Sequence, residues 1–341
     1  MKPLKTAILG ATGAVGQEFL SLLDQREFPL AELRLLASKK SAGKKIVFRG
    51  KEITIEEARP DSFTGLDLVL SSAGGAISRE LAPHAVKAGA LVVDNTSAFR
   101  MDPNVPLVVP EINPQEIAKH KGIIANPNCS TIIMLVPVFP LYKLSRIKRI
   151  VVSTYQAVSG AGQRAMDELR LQAAEFLAGK PLTREVFPHQ VAFNLFSHNT
   201  KLNSEGFCEE ETKMIKETHK ILGDAQISIF PTTIRVPVFR AHSESILIEQ
   251  EKSISLEDAR KAIAAGEGLR LVDDSERNHF PMPIEAEGRD EILVGRLRKD
   301  PACANSLGLF VSGDQIRKGA ALNAVQIAEL WAGIPRPAVL R

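Results

Sequence analysis

The stretch TAILGATGAVGQEFLSLLDQ, residues 6–25, leaves this chain few folds to choose from. A short apolar run meets Gly10, Gly13 and Gly16, and the spacing then becomes that of an amphipathic helix. A strand that feeds a helix through a glycine turn opens a strand–helix–strand unit, and such units assemble into parallel sheets. The pattern recurs: LRLLAS, LDLVLSS, ALVVDNT and GIIANP read as buried strands, and ISRELAPHAVKAG as a helix whose start Pro83 leaves open. An α/β parallel sheet covered on both faces is therefore expected up to about residue 130.

After Cys129 the character changes. IKRIVVSTYQAVSG and SIFPTTIRVPVFRAHSESILIEQE read as long extended runs. Between them lie two helical segments, QRAMDELRLQAAEFLAG and CEEETKMIKETHKILG, the second ending on Gly223 as a C-terminal cap. An α+β second domain is expected. RKGAALNAVQIAELWAG has helical spacing and is expected to return to the first domain. The division is thus 1–129 with 320–341 against 130–319, which suits 341 residues at roughly 150 per domain. No internal repeat is present.

Composition excludes several classes. Forty-three basic and forty acidic side chains give a net charge of +3, too balanced to suggest nucleic-acid binding. No apolar run reaches the roughly eighteen residues of a membrane span. IIMLVPVFPL, the most apolar stretch, carries two prolines and reads as buried core. The N-terminal apolar run is short and enters the glycine turn, unlike a signal peptide. Three widely separated cysteines suggest neither a disulfide framework nor a metal site, so no metal is expected and a reducing cytoplasm fits.

The turn is G-x-x-G-x-x-G rather than the usual dinucleotide fingerprint. Its physics still suits a pyrophosphate, because small residues allow close backbone approach and a helix N-terminus presents unpaired N–H groups. Thr12 could add a hydroxyl; the plainer alternative is a tight turn with no ligand. An NAD site would carry an acid at the tip of the second strand. That tip here reads ASKKSAGKK, with Ser38, Lys39, Lys40 and Ser41 and no acid, so NADP(H) is the better match.

Cys129 begins the helical run CSTIIMLV after Asn126-Pro127-Asn128. A helix N-terminus favours the thiolate and could stabilise an oxyanion on a carbonyl that the sulfur attacks. On this segment alone, a small buried residue is the commoner reading. His242, at a polar break in RVPVFRAHSES, is the candidate base, whereas His84, His120 and His219 lie in charged helical patterns.

GATGAVG, SAFRMDPNVPLVVPE, NPNCST, STYQAVSGAG, EETKM and RVPVFRAHSES occur in this order. Together they resemble aspartate-semialdehyde dehydrogenase in its bacterial NADP-dependent form, over nearly the whole chain. The resemblance implies a Rossmann-type dinucleotide-binding domain and an α+β substrate and dimerisation domain, usually in a homodimer. It implies reversible reductive dephosphorylation of aspartyl-4-phosphate to the semialdehyde, on the route to lysine through diaminopimelate, threonine and methionine.

It also implies residue roles. Cys129 would be the thioester-forming nucleophile, Gln156 would orient the substrate and His242 would be the general acid/base. Glu210 would hold the substrate ammonium, Arg235 its carboxylate, and Arg100 and Lys213 phosphate, with Asn128 beside them. Gly10, Thr12, Gly13, Ala14, Val15, Ser38, Lys40, Ser41, Ser159, Gly160 and Asn323 would line the cofactor site. Lysine at 40, where many members carry arginine, lacks the planar fork and implies a looser cofactor preference.

Glu210 and Lys213 are three apart in a helical pattern and share a face. Arg235 and His242 are seven apart on an extended run, an odd spacing that points them to opposite faces of a regular strand. A bulge or bend is needed to bring both to one site. Two other readings stay open: a reductase of N-acetyl-glutamyl phosphate, and a non-catalytic nucleotide-binding relative.

Overall fold

A computed structural model describes residues 2–197 and 200–335. The chain forms two compact units, one running to Asn128 and resuming at Ala320, the other Cys129–Gly319. Cys129, expected to end the first domain, instead begins the second unit as the first residue of a helix.

The first unit contains β1 (Leu4–Leu9), α1 (Ala14–Gln25), β2 (Leu30–Ala37), β3 (Lys45–Phe48), β4 (Lys51–Glu57), β5 (Leu68–Ser71), α2 (Gly75–Lys87), β6 (Leu91–Asp94) and β7 (Ile123–Ala125). Its sheet runs β3-β4-β2-β1-β5-β6-β7. All pairs are parallel except β3–β4, a hairpin that no periodicity announced. β1 sits where the order reverses, with β2 on one side and β5 on the other, and such a point opens a crevice at the strand C-termini.

Helices cover both faces. Phe19, Leu22 and Leu23 of α1 pack in one cluster with Leu322, Val325 and Ile327 of the helix Leu322–Ala332. Leu81, Ala82 and Ala85 of α2 pack in another. Pro83 lies inside α2 rather than marking its start.

The second unit contains α3 (Cys129–Leu144), β8 (Ile147–Gln156), α4 (Gln163–Leu177), β9 (Phe196–Ser197), α5 (Glu209–Leu222), β10 (Ser228–Arg235), β11 (His242–Gln250), α6 (Leu256–Ala264), β12 (Leu269–Leu271), α7 (Pro283–Ala286), β13 (Ile292–Lys299) and β14 (Ser306–Gly313). The helix Leu322–Ala332, described above, is α8. The sheet is mixed, in the order β12-β13-β14-β11-β8-β10-β9. α3 is apolar and buried from Ser130 to Val138, as its sequence suggested.

α3 lies on the face of the sheet that carries Gln156, for Gln156 donates to Ser130 and, at the other end, Gln250 donates to Leu141. On the opposite face Val151, Tyr155, Ile234, Leu247 and Phe310 are half-buried and Phe230 is exposed. A sheet face left to water normally carries polar side chains. Among the described residues no helix is long and apolar enough to cross a membrane.

Candidate active site

In the first unit the glycine turn forms the floor of a cleft of about 460 Å³. Gly10 has φ +93°, and a Cβ there would come 2.7 Å from the Ser72 carbonyl oxygen. A Cβ on Gly16 would come 2.3 Å from the Gly10 oxygen. Gly13 is different: its nearest neighbour would be 3.5 Å away, and it lines the cleft with Thr12. Gly13 also caps α1 without a side-chain bond, so the first N–H groups of the helix, from Ala14 and Val15, have no capping side chain. The backbone conformation, the close approach and the uncapped helix suit an anion such as a pyrophosphate.

The far end of the cleft is lined by Ser38 and Lys39 from the tip of β2. Lys40 and Ser41 sit in the turn that follows, closed by Ser41 N–H donating to the Ser38 oxygen at 2.8 Å, and are not part of the lining. Charged residues outside the sequence reading line it as well: Glu57 at the end of β4, Arg59 just past it, and Glu80 of α2. Nothing in the chain order announced the first two, because β4 reaches β2 only through the β3–β4 hairpin.

Arg100 is buried, its Nε donating to the Asn126 oxygen at 2.9 Å and its Nη2 to the Asn95 oxygen at 2.8 Å. Asn128 is also buried. Asn323 is fully buried, and its amide donates to Asn126 Oδ1 at 2.7 Å and to the Val108 oxygen at 3.0 Å. It therefore fixes the loop that leads into Asn128, a structural task that its place in a motif did not reveal.

In the second unit the run expected over residues 228–251 is two strands. β10 ends at Arg235 and β11 begins at His242, and the two flank β8 from opposite sides. Arg235 stands across from Gln156, and Ser243 across from Tyr155, which places His242 beside Gln156. The odd spacing thus raises no conflict, since the two residues belong to different strands. Arg235, Gln156 and His242 form a row across three adjacent strands, on one face, at most 6% exposed. The bend lies at Ala241, which has φ +70°, a conformation uncommon outside glycine. Its N–H donates to Gln315 Oε1 at 2.8 Å, and the amide of Gln315 donates to Ser159 Oγ. Gln315 was not legible in the sequence as part of the site.

Cys129 opens α3 and is partly exposed, while Ser130 next to it accepts a hydrogen bond from Gln156 Nε2 at 2.9 Å. The Ala157 N–H donates to His242 Nδ1 at 3.0 Å. In the neutral ring this leaves the proton on Nε2, so the ring presents a donor there. Gly160 lies against this row: a Cβ on it would stand 3.4 Å from His242 Nε2 and from Arg235 Nη1.

Arg235 donates to the Ala157 oxygen and stacks on Phe187, with its guanidinium carbon 5.5 Å from the ring centroid. Burial draws its pKa down, and the Cys129 sulfur and the Glu210 carboxylate push it back up. One cation therefore feels both the sulfur and the acid. Glu210 and Lys213 do share a face of α5 and form an ion pair at 3.1 Å. Cys208 caps that helix and three acids occupy its first turn, where the dipole favours them.

The chain is similar in sequence and fold to one family of known proteins. Residues 5–120 match the family described as semialdehyde dehydrogenase, NAD binding domain, and residues 138–318 the one described as semialdehyde dehydrogenase, dimerisation domain. The chain is 55% identical to an aspartate-semialdehyde dehydrogenase of Synechocystis, over 96% of this chain and 97% of that one. It matches the crystal structure of aspartate semialdehyde dehydrogenase II from Vibrio cholerae complexed with ASA, with TM-score 0.95 and 44% identity, over 98% and 99% of the two chains. A Candida albicans aspartate semialdehyde dehydrogenase with NADP matches with TM-score 0.75 and 25% identity, over 97% and 99%.

Proposed function

This chain belongs to the aspartate-semialdehyde dehydrogenase family, and from that premise we propose how its residues carry the reaction. It is an aldehyde oxidoreductase of amino-acid biosynthesis with a dinucleotide-binding domain and a dimerisation domain. The reading at residue level rests on one observation above the others: Arg235, Gln156 and His242 form a buried row on the sheet face that carries the helix opened by Cys129.

In the biosynthetic direction the Cys129 thiolate attacks the acyl carbon of aspartyl-4-phosphate. The bond from carbon to the phosphate oxygen breaks, phosphate leaves, and a thioester remains on the sulfur. The helix N-terminus at Cys129 and the cation of Arg235 both favour the thiolate. Bound reduced dinucleotide supplies hydride to the acyl carbon. The carbonyl oxygen then carries negative charge, and Nε2–H of His242 is placed to donate to it. When that oxygen restores its carbonyl, the carbon–sulfur bond breaks, its electron pair returns to Cys129, and the aldehyde departs. His242 thus serves as a hydrogen-bond donor while Ala157 occupies Nδ1, a narrower role than general acid/base. Gln156, tied to Ser130, fixes the approach to the sulfur. Glu210 takes the substrate ammonium, Arg235 the carboxylate, and Arg100 and Lys213 phosphate, with Asn128 beside it.

The dinucleotide is NADP(H). Support comes from Lys39 and Arg59 in the cleft and from the NADP named in the Candida relative. Thr12, Gly13, Ala14, Val15 and Ser38 are proposed to bind it, with Gly10 shaping the turn, and Ser159 and Gly160 are proposed to contact it as well. The apolar face of Tyr155, Leu247 and Phe310 is proposed to receive a second copy of the chain. The product feeds lysine, threonine and methionine synthesis in the cytoplasm.

The test follows reduced cofactor by absorbance, with L-aspartate-β-semialdehyde, NADP and phosphate. Turnover is expected to require phosphate, and Cys129→Ala is expected to lower it by about three orders of magnitude or more. Turnover in the alanine variant within about tenfold of the parent defeats the thioester route.

A further inference from the structure

The sequence offers no acid at the tip of the second strand, yet of the two acids that line the folded cleft, Glu57 and Glu80, the first comes to that tip. Glu57, the last residue of β4, stands beside Ala37, the last residue of β2. The pairing continues past both strands, with Ala58 N–H donating to the Ala37 oxygen at 2.8 Å. Glu57 and Arg59 therefore line the cleft at the same level as Ser38 and Lys39. An acid here accepts hydrogen bonds from the ribose hydroxyls of an unphosphorylated dinucleotide, while a nearby arginine accommodates a 2′-phosphate. This chain places both groups at one point.

They are also bound to each other. Arg59 Nε and Nη2 both donate to Glu57 Oε2, at 3.0 and 2.5 Å. Glu57 is the first cause of the raised pKa of Arg59. The arginine side chain is 64% exposed, so the pair opens at little cost in water. A bare carboxylate facing a 2′-phosphate repels it, and a like-charge mismatch of that kind is a common source of discrimination.

We propose that the Glu57–Arg59 pair sets which dinucleotide this chain takes. Arg59 masks the carboxylate and offers its guanidinium to a 2′-phosphate beside Lys39. With Arg59 turned away, Glu57 accepts the two ribose hydroxyls of NAD instead. Selectivity is then set by a partly exposed pair at the end of the neighbouring strand rather than by the ASKKSAGKK tip alone. The inference rests on the reading of the cleft as a dinucleotide site.

The test measures direct binding of NADP and NAD by calorimetry, without substrate, to the parent, Arg59→Ala, Arg59→Lys and Glu57→Gln. Arg59→Ala is expected to weaken NADP about tenfold or more while NAD binds as well or better. Arg59→Lys should recover part of the NADP affinity. Glu57→Gln should lose NAD affinity and keep NADP. An Arg59→Ala protein whose NADP-to-NAD ratio equals that of the parent overturns the inference and leaves the dinucleotide reading standing. A parent chain that binds neither dinucleotide overturns both. Circular dichroism of each variant separates a lost contact from a lost fold.

Discussion

Glu244 stands in register with Thr154, one residue pair inward from His242 and Gln156 on the same sheet face. It is fully buried, and among the described residues neither of its carboxyl oxygens has a hydrogen-bond partner. Burial raises its pKa well above the ordinary carboxylate range. The folded chain therefore keeps a proton that the unfolded chain releases. Stability falls as pH rises from the ordinary range toward the raised value, and is flat above it. Glu244→Gln, which cannot ionise, should be more stable than the parent at pH 8 by about 1 kcal/mol or more, and the two should converge toward pH 4. Denaturant titrations across that range check it; a constant difference at every pH removes ionisation as the cause. Gly319 makes a second prediction at this scale. A Cβ there would come 2.9 Å from Cys129 Cβ, so Gly319→Ala must displace the sulfur or the turn that carries position 319. Overpacking of this kind costs about 1–3 kcal/mol. Turnover should fall further than that destabilisation explains, read as kcat at a temperature where the variant is fully folded.

Among elements, β10 and β11 show how far the sequence could be read. Their apolar and β-branched residues marked extended chain correctly, but periodicity cannot say that one run is two strands separated by a third. That depends on β8, which lies far away in sequence and pairs with both. The same limit hid β4, since a strand that enters the sheet beyond β2 carries no local mark of its neighbour. Local signals held where local physics decides. α1 spans Ala14–Gln25 as its spacing predicts, and α5 ends on Gly223 with φ +64°, as a C-terminal glycine does. The candidate site was legible as a set of residue types, Cys129, Gln156 and His242, and illegible as a row. The α3 end supplies an element-scale prediction. Tyr142 and Arg146 both bond Asp224, and Arg146 holds that carboxyl down to about 2. A depressed value stabilises the fold above the ordinary carboxylate range and is lost as pH falls through about 2. Asp224→Asn should melt below the parent at pH 7, and the gap in midpoint should close as pH falls from about 4 toward 2.

At the scale of the whole molecule, the second sheet has two unlike faces, to which the proposed function assigns different tasks. One face carries Gln156, Arg235 and His242; the other carries Tyr155, Leu247 and Phe310. Leu247→Asp with Phe310→Asp should shift the chain toward monomer in sedimentation velocity while far-ultraviolet dichroism stays the same. Unchanged sedimentation would place the interface elsewhere. The first unit has a different peculiarity, because its core includes Leu322, Val325 and Ile327, which lie beyond the entire second unit in the chain. A ribosome delivers those residues after the whole second unit. The second unit is continuous and can close as soon as it emerges, whereas the first holds an open seat against Phe19 and Leu23 until α8 arrives. The first unit can therefore complete its core only once the second has been made, although most of its own residues come earlier in the chain.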